Sequence, residues 1–143
     1  MSRLRMLLVH DEPEFTEAVK TALSDMGFEV DVAIDPGDAV VQLLSRLPDV
    51  VCVNLNLPRD SGYDVCELIR GDTSLDRLPI VVMSDRHSPE DLAYAEEAGA
   101  DVFLRLPSPS RALDTLSENL RPFLDGHTPS SAPGVFHLRT AER

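Results

Sequence analysis

The sequence lacks any long apolar run and has few cationic residues. No apolar stretch approaches the roughly 20 residues that cross a bilayer, and the run after the basic N-terminus, residues 6–9, is too short for a signal peptide. Lys and Arg number 13 against 25 Asp and Glu, which gives a net charge of −12. Nucleic acid and anionic membranes would repel such a chain. We therefore expect a cytoplasmic protein with neither as a direct partner.

Cysteine and lysine are also scarce. Cys52 and Cys66 both lie in apolar patterns, so we predict two buried free thiols, not a disulfide or a metal pair. Lys20 is the only lysine among the 13 cationic residues. Any site that needs a lysine elsewhere in the chain is therefore excluded.

What the chain does contain is an alternation of strand and helix patterns, repeated five times. Apolar strand patterns cover residues 6–9, 29–33, 50–53, 80–83 and 102–104. Only the second strand alternates polar and apolar residues, as an edge strand would. The pattern predicts an α/β domain with a flavodoxin-like (βα)5 doubly wound parallel sheet of strand order 2-1-3-4-5. We assign residues 1–125 to this domain and residues 126–143, which begin with a Pro/Ser-rich stretch, to a flexible tail or linker.

Several helix ends are predicted from single residues. Asp35 and Ser88 each precede a proline, the combination of N-cap and first helical residue that begins a helix. Gly27 and Gly99 stand where left-handed C-caps belong.

The third strand is where we expect any site to be built. Residues 50–53 are consecutively apolar, the chain then reaches Asn54, and a loop containing Pro58 follows. Such a run is typical of a strand buried on both faces, and sites in parallel α/β sheets form at strand carboxyl ends. The strand order places His10, Asp11 and Asn54 together at the switch point between strands one and three.

The motifs at these strand ends resemble the receiver domain of two-component response regulators. The matching segments are residues 9–13, 54–58 with 62–63, 80–84, 99–101 and 106–107. The resemblance covers residues 4 to about 124, and it implies a phosphoacceptor pocket. That pocket is formed by His10, Asp11, Glu12, Asn54, Asn56, Ser84 and Leu106, with Phe103 at the aromatic switch position.

Three of these positions depart from the receiver pattern. His10 replaces an acid of the metal-binding turn, Asn54 replaces the phosphoacceptor aspartate, and Leu106 replaces the lysine that contacts phosphate. An amide is a poor nucleophile toward phosphorus, so no acyl phosphate can form. Because Mg²⁺ is held mainly by carboxylates, we expect its binding to be weak or absent. No cofactor is predicted, and Asp11 is the one weak metal candidate.

Alternative interpretations of individual residues stay open. His10 could titrate near neutrality as a pH sensor or could be partly buried and bonded to Asp11. Together with Asp11 and His87 it could also bind a transition metal. Ser84 could be a nucleophile or a phosphorylation site, or a strand-end hydroxyl that satisfies backbone groups. Arginines 59, 86 and 105 could replace the lost lysine as anion ligands or could be surface residues.

The resemblance and the missing acceptor together predict a phosphorylation-independent pseudo-receiver. We expect a regulatory protein–protein interaction module in bacterial two-component-type signal transduction, and no enzyme. By resemblance, its contact face is helix four, strand five and helix five, through which it could also self-associate. The alternative is that the emptied pocket senses a small molecule or an ion.

Overall fold

A computed structural model describes residues 4–55, 62–75, 78–84 and 88–105, together with the backbone of residues 135–137. The strands are β1 (Leu4–Val9), β2 (Phe28–Ala33), β3 (Val50–Asn54), β4 (Ile80–Ser84), β5 (Val102–Arg105) and β6 (Val135–His137). The helices are α1 (Pro13–Asp25), α2 (Pro36–Ser45), α3 (Gly62–Arg70) and α4 (Pro89–Ala98), with a short 3₁₀ turn at Thr73–Leu75. The predicted fifth helix lies outside the described residues.

The strands form one sheet of order β2-β1-β3-β4-β5-β6. Its first five strands are parallel, which confirms the predicted order 2-1-3-4-5, with β2 at one edge. The residues of β1, β3 and β4 alternate between two helical layers, and most of them are fully buried. This burial on both faces explains why their sequences show continuous apolar runs.

Two separate cores lie on the two faces of the sheet. One is formed by side chains such as Val53, Val82 and Phe103 together with α2, α3 and α4. The other contains Cys52 and packs against α1. Cys52 and Cys66 are both buried and free, as predicted.

The helix-end signals have the expected effects. The Asp35 carboxylate accepts a hydrogen bond from the Asp38 N–H at 2.7 Å, and the Ser88 hydroxyl accepts one from the Asp91 N–H at 3.1 Å. Gly27 and Gly99 both adopt φ of 100°, a left-handed conformation that side chains disfavour.

The sixth strand lies within residues 126–143, the segment for which the sequence predicts a flexible tail or linker. Residues 135–137 pair antiparallel with β5, with Phe136 opposite Phe103. The physical reason is that the outer edge of a final strand exposes backbone N–H and C=O groups that can template another strand. The rest of the predicted tail lies outside the described residues.

Candidate functional site

The predicted pocket residues lie next to one another at the carboxyl ends of the parallel strands. Val9 lies opposite Val53, which lies opposite Val82, so the strands end in register. His10 follows β1, Asn54 ends β3 and Ser84 ends β4. The structure therefore brings together the described members of the predicted pocket, whereas Asn56 and Leu106 lie outside the described residues.

His10 is held in a neutral, acceptor state. Its Nδ1 accepts a hydrogen bond from the backbone N–H of Glu12 at 3.1 Å, so the ring proton is on Nε2. The ring stacks on Phe15 with centroids 4.6 Å apart. Burial lowers the pKa of His10, and this effect exceeds the opposing influence of Asp11 and Glu12. The side chain therefore does not behave as a cation near neutral pH.

This geometry corrects one interpretation of His10, namely that it is bonded to Asp11. Nδ1 and the Asp11 carboxylate oxygen are 3.8 Å apart, a pairing that would require a protonated ring. The local bond to Glu12 is favoured because it satisfies a backbone donor without burying a charge. The sequence analysis did not identify Phe15 as the stacking partner of His10.

Asn54 lies against the beginning of α3. A Cβ added to Gly62 would approach the Asn54 backbone oxygen to 2.5 Å and the Leu55 Cα to 2.9 Å. Only glycine fits there without a shift, so α3 begins directly beside the end of β3. Asn54 itself is half-buried.

Ser84 and Phe103 complete the described part of the site. Ser84 is 7% exposed, and Phe103 is fully buried in the core beneath α4. Arg105 lies opposite Ser84 in the β4–β5 register and is exposed, so it is the one described arginine of the three considered as anion ligands. Residues 59, 86 and 87 lie outside the described residues, including the second histidine of the suggested metal pair.

The described donor set at this end of the sheet has a nitrogen and an amide at two positions where the receiver pattern has carboxylates. A hard cation is held by carboxylate and carbonyl oxygens in octahedral geometry, whereas His10 offers a nitrogen already bonded to a backbone N–H. Asn54 supplies a neutral amide at the position where the receiver pattern has an aspartate carboxylate. Among the described residues, no group of three or more His, Cys, Asp or Glu side chains is placed to hold a metal ion.

A groove of about 230 Å³ lies at the opposite end of the sheet. Its walls come from the segments before β3 and β4, namely Leu47, Pro48, Asp49, Ser74, Leu75, Leu78 and Pro79. It is therefore separate from the candidate pocket. No helix among the described residues is long and apolar enough to cross a membrane.

A doubly wound parallel sheet with a site at the switch point between β1 and β3 defines a class of signalling and nucleotide-binding folds. Within it, the model of the response regulator receiver domain matches residues 6–117. This chain belongs to the response regulator receiver domain family.

Individual proteins support this assignment. The response regulator MprA of Mycolicibacterium vanbaalenii is 34% identical over 131 residues, which are 92% of this chain and 54% of that protein. Protein PilG of Pseudomonas aeruginosa is 26% identical over 91% of both chains. The chain thus spans about half the length of the MprA relatives that it matches.

Solved structures show the same fold. The chemotaxis protein CheY4 of Vibrio cholerae superposes with a TM-score of 0.72 at 26% identity, covering 81% of this chain and 98% of that one. The phosphorylated cyanobacterial phytochrome response regulator RcpA superposes with a TM-score of 0.79 at 22% identity, covering 92% and 100%. The second likeness concerns the fold alone.

Proposed function

We propose that this receiver domain works without phosphorylation, as a regulatory protein-interaction module in two-component-type signalling. The observation that carries the proposal is Asn54, an amide at the carboxyl end of β3. An amide oxygen cannot displace a leaving group from phosphorus to give a stable acyl phosphate. The proposal includes no enzymatic activity.

The neighbouring residues support a pocket that does not switch. His10 is neutral and engaged with the Glu12 N–H, so fewer like charges oppose each other than in a site with several carboxylates. Phe103 is already fully buried. A pocket with little stored repulsion and a buried switch residue favours one conformation.

The proposed contact face combines α4, β5 and the predicted fifth helix. Its described part is acidic, since Glu90, Glu96 and Glu97 are exposed on α4. Such a surface favours a partner with a cationic face. The backbone edge of β5 pairs with β6, so a partner at this face would not pair directly with β5.

The proposal is tested by incubating the full chain with acetyl phosphate and Mg²⁺ and measuring hydroxylamine-labile phosphate. We expect none on the natural chain. The matched positive control is the triple variant His10→Asp, Asn54→Asp, Leu106→Lys, which restores the groups that the receiver pattern contains and should become labelled. Hydroxylamine-labile phosphate on the natural chain would disprove the proposal.

The alternative function, ligand sensing by the emptied pocket, is tested by thermal shift with metabolites, nucleotides and divalent cations. A specific ligand at a free concentration of 100 times its Kd would stabilise the folded chain by about 2.7 kcal/mol. A shift that the Asn54→Asp variant loses would favour sensing over docking alone.

A further inference from the structure

Helix α2 has an unusual outward face. Of its ten residues only Ala39 is buried, and four apolar side chains on or beside it are exposed to solvent. Their exposed fractions are 59% for Ile34, 59% for Val41, 82% for Leu44 and 57% for Leu47. Large exposed apolar groups collected on one short element mark an interaction surface.

The spacing of this face is that of a helix–helix contact. Gly37, Val41 and Leu44 follow one another at intervals of four and three residues on one face of α2, as in a coiled-coil seam, and Ile34 stands two residues before the helix, beyond the extended N-cap Asp35. We call these four residues the α2 seam. Ala39 lies on the opposite side of the helix, facing the core. The seam therefore points away from the sheet.

Gly37 makes a close approach possible. It is exposed, and a Cβ built on it would meet only the Asp35 side chain, at 3.4 Å. A missing side chain in the middle of an apolar seam lets a second helix come nearer and leaves a recess for a large side chain.

The distribution of charged residues indicates which molecule binds the α2 seam. From Ala39 to the end of α2 no residue is charged, and the Asp38 carboxylate is bonded to the Ile34 N–H at 3.1 Å. The other described helices expose carboxylates; examples are Glu14 and Glu17 on α1, Asp64 and Glu67 on α3, and Glu96 and Glu97 on α4. Two copies of the chain, each with a net charge of −12, would repel each other across those acidic faces. A cationic partner would be drawn to those acidic faces, whereas α2 is the described helix on which a second copy meets least repulsion.

We propose that two copies of this chain associate through antiparallel packing of their α2 seams. In this arrangement Ile34 lies beside Leu44 of the second copy, and Gly37 receives Val41 of the second copy. The contact is isologous, as in most homodimers. Three apolar side chains and a glycine, on and just before a short helix, form a small interface, so the dimer belongs with weak contacts of less than about 1,200 Å². This association does not depend on the proposed function, because it makes no use of position 54.

The first test is sedimentation of the full chain at concentrations up to about 1 mM. We expect a reversible monomer–dimer equilibrium, and Leu44→Glu should raise the dimer dissociation constant roughly tenfold or more. Leu68→Glu is the matched control, because Leu68 is 51% exposed but lies on α3; it should leave the equilibrium unchanged. A chain that stays monomeric throughout, or a dimer that tolerates Leu44→Glu, would overturn the proposal.

Salt dependence gives a second criterion. Raising NaCl from about 0.1 to about 1 M shortens the Debye length from about 10 to about 3 Å. Because the two copies repel at long range and attract through apolar contact, the dimer should tighten with salt. A dimer that weakens with salt would be held by opposite charges elsewhere, contrary to the proposal.

The antiparallel pairing is tested by cross-linking. An equimolar mixture of Gly37→Cys and Val41→Cys proteins should form a mixed disulfide in higher yield than either protein alone. The native thiols should not interfere, since both are buried, and burial raises the pKa of Cys66 to about 12. Equal yields in the three samples would rule out this pairing.

Discussion

At the scale of single residues, the candidate site is governed by neutral side chains where the receiver pattern has charged ones. Asn54 was identified as the decisive group from the sequence alone, because a strand end is readable from its apolar run. The protonation state and the contacts of His10 could not be predicted from the sequence. Its hydrogen bond to Glu12 and its contact with Phe15 depend on how the turn between β1 and α1 folds.

We predict that stability falls as pH is lowered through the range in which His10 would protonate. The pKa of His10 in the folded chain lies below its ordinary value of 6.5, so the unfolded chain takes up the proton first. The stabilising contribution is therefore fully present above pH 6.5 and is lost as pH falls through the folded-state pKa. Urea denaturation between about pH 7.5 and about pH 5 measures it.

The matched control for this experiment is His10→Asn. An asparagine oxygen can accept the Glu12 N–H from the same position without titrating. Its free energy of unfolding should therefore depend less on pH in this window. Parallel curves for the natural chain and the variant would show that His10 is not the group responsible.

At the scale of elements, one arginine holds several segments together. Arg70, at the end of α3, donates hydrogen bonds to the carbonyl oxygens of Gly99 at 2.9 Å, Leu75 at 3.1 Å and Leu78 at 2.9 Å. It also pairs with Asp101 at 2.9 Å, and that carboxylate accepts the Ile80 N–H at 2.8 Å. The ends of α3 and α4 are thereby joined to the start of β4.

We predict that Arg70→Lys lowers the free energy of unfolding by about 2–4 kcal/mol. Lysine keeps the positive charge but cannot reproduce a planar fork of donors, so it cannot satisfy the three carbonyl oxygens and the mostly buried Asp101 carboxylate together. Urea denaturation is the measurement. Arg46→Lys is the control, because Arg46 is 59% exposed and pairs with Glu29 at 3.4 Å; it should change stability by less than about 0.5 kcal/mol. Equal effects of the two substitutions would contradict this account.

At the scale of the whole molecule, the chain extends its own sheet beyond β5. Strand β6 lies more than 25 residues beyond β5 in sequence and pairs with it over Val102, Phe103 and Leu104. The pairing covers the edge of β5 and makes the three-residue β6 the edge strand. A very short edge strand is a poorer template for association with other chains.

We predict that removing residues 135–143 speeds amide hydrogen exchange in β5 by roughly tenfold or more, since these residues lose their antiparallel partner. Exchange in β1 should not change, because β1 is paired on both sides by β2 and β3. Removing only residues 138–143 is the control and should leave β5 protected. If both truncations behave alike, the β5–β6 pairing does not contribute to protection.

How much the sequence determined follows from the range of the interactions involved. The caps at Asp35 and Ser88 and the turns at Gly27 and Gly99 were predicted because each depends on local pattern. The strand order was predicted because only the second strand alternates polar and apolar residues, which assigns it to an edge of a doubly wound sheet. By contrast, only the tertiary structure decided three features. They are the hydrogen bonds from Arg70 to Gly99 and Asp101, which lie 29 and 31 positions later in the chain, the pairing of β6 with β5, and the burial of His10. Such contacts join segments distant in sequence, and local propensity carries no information about which of them will meet.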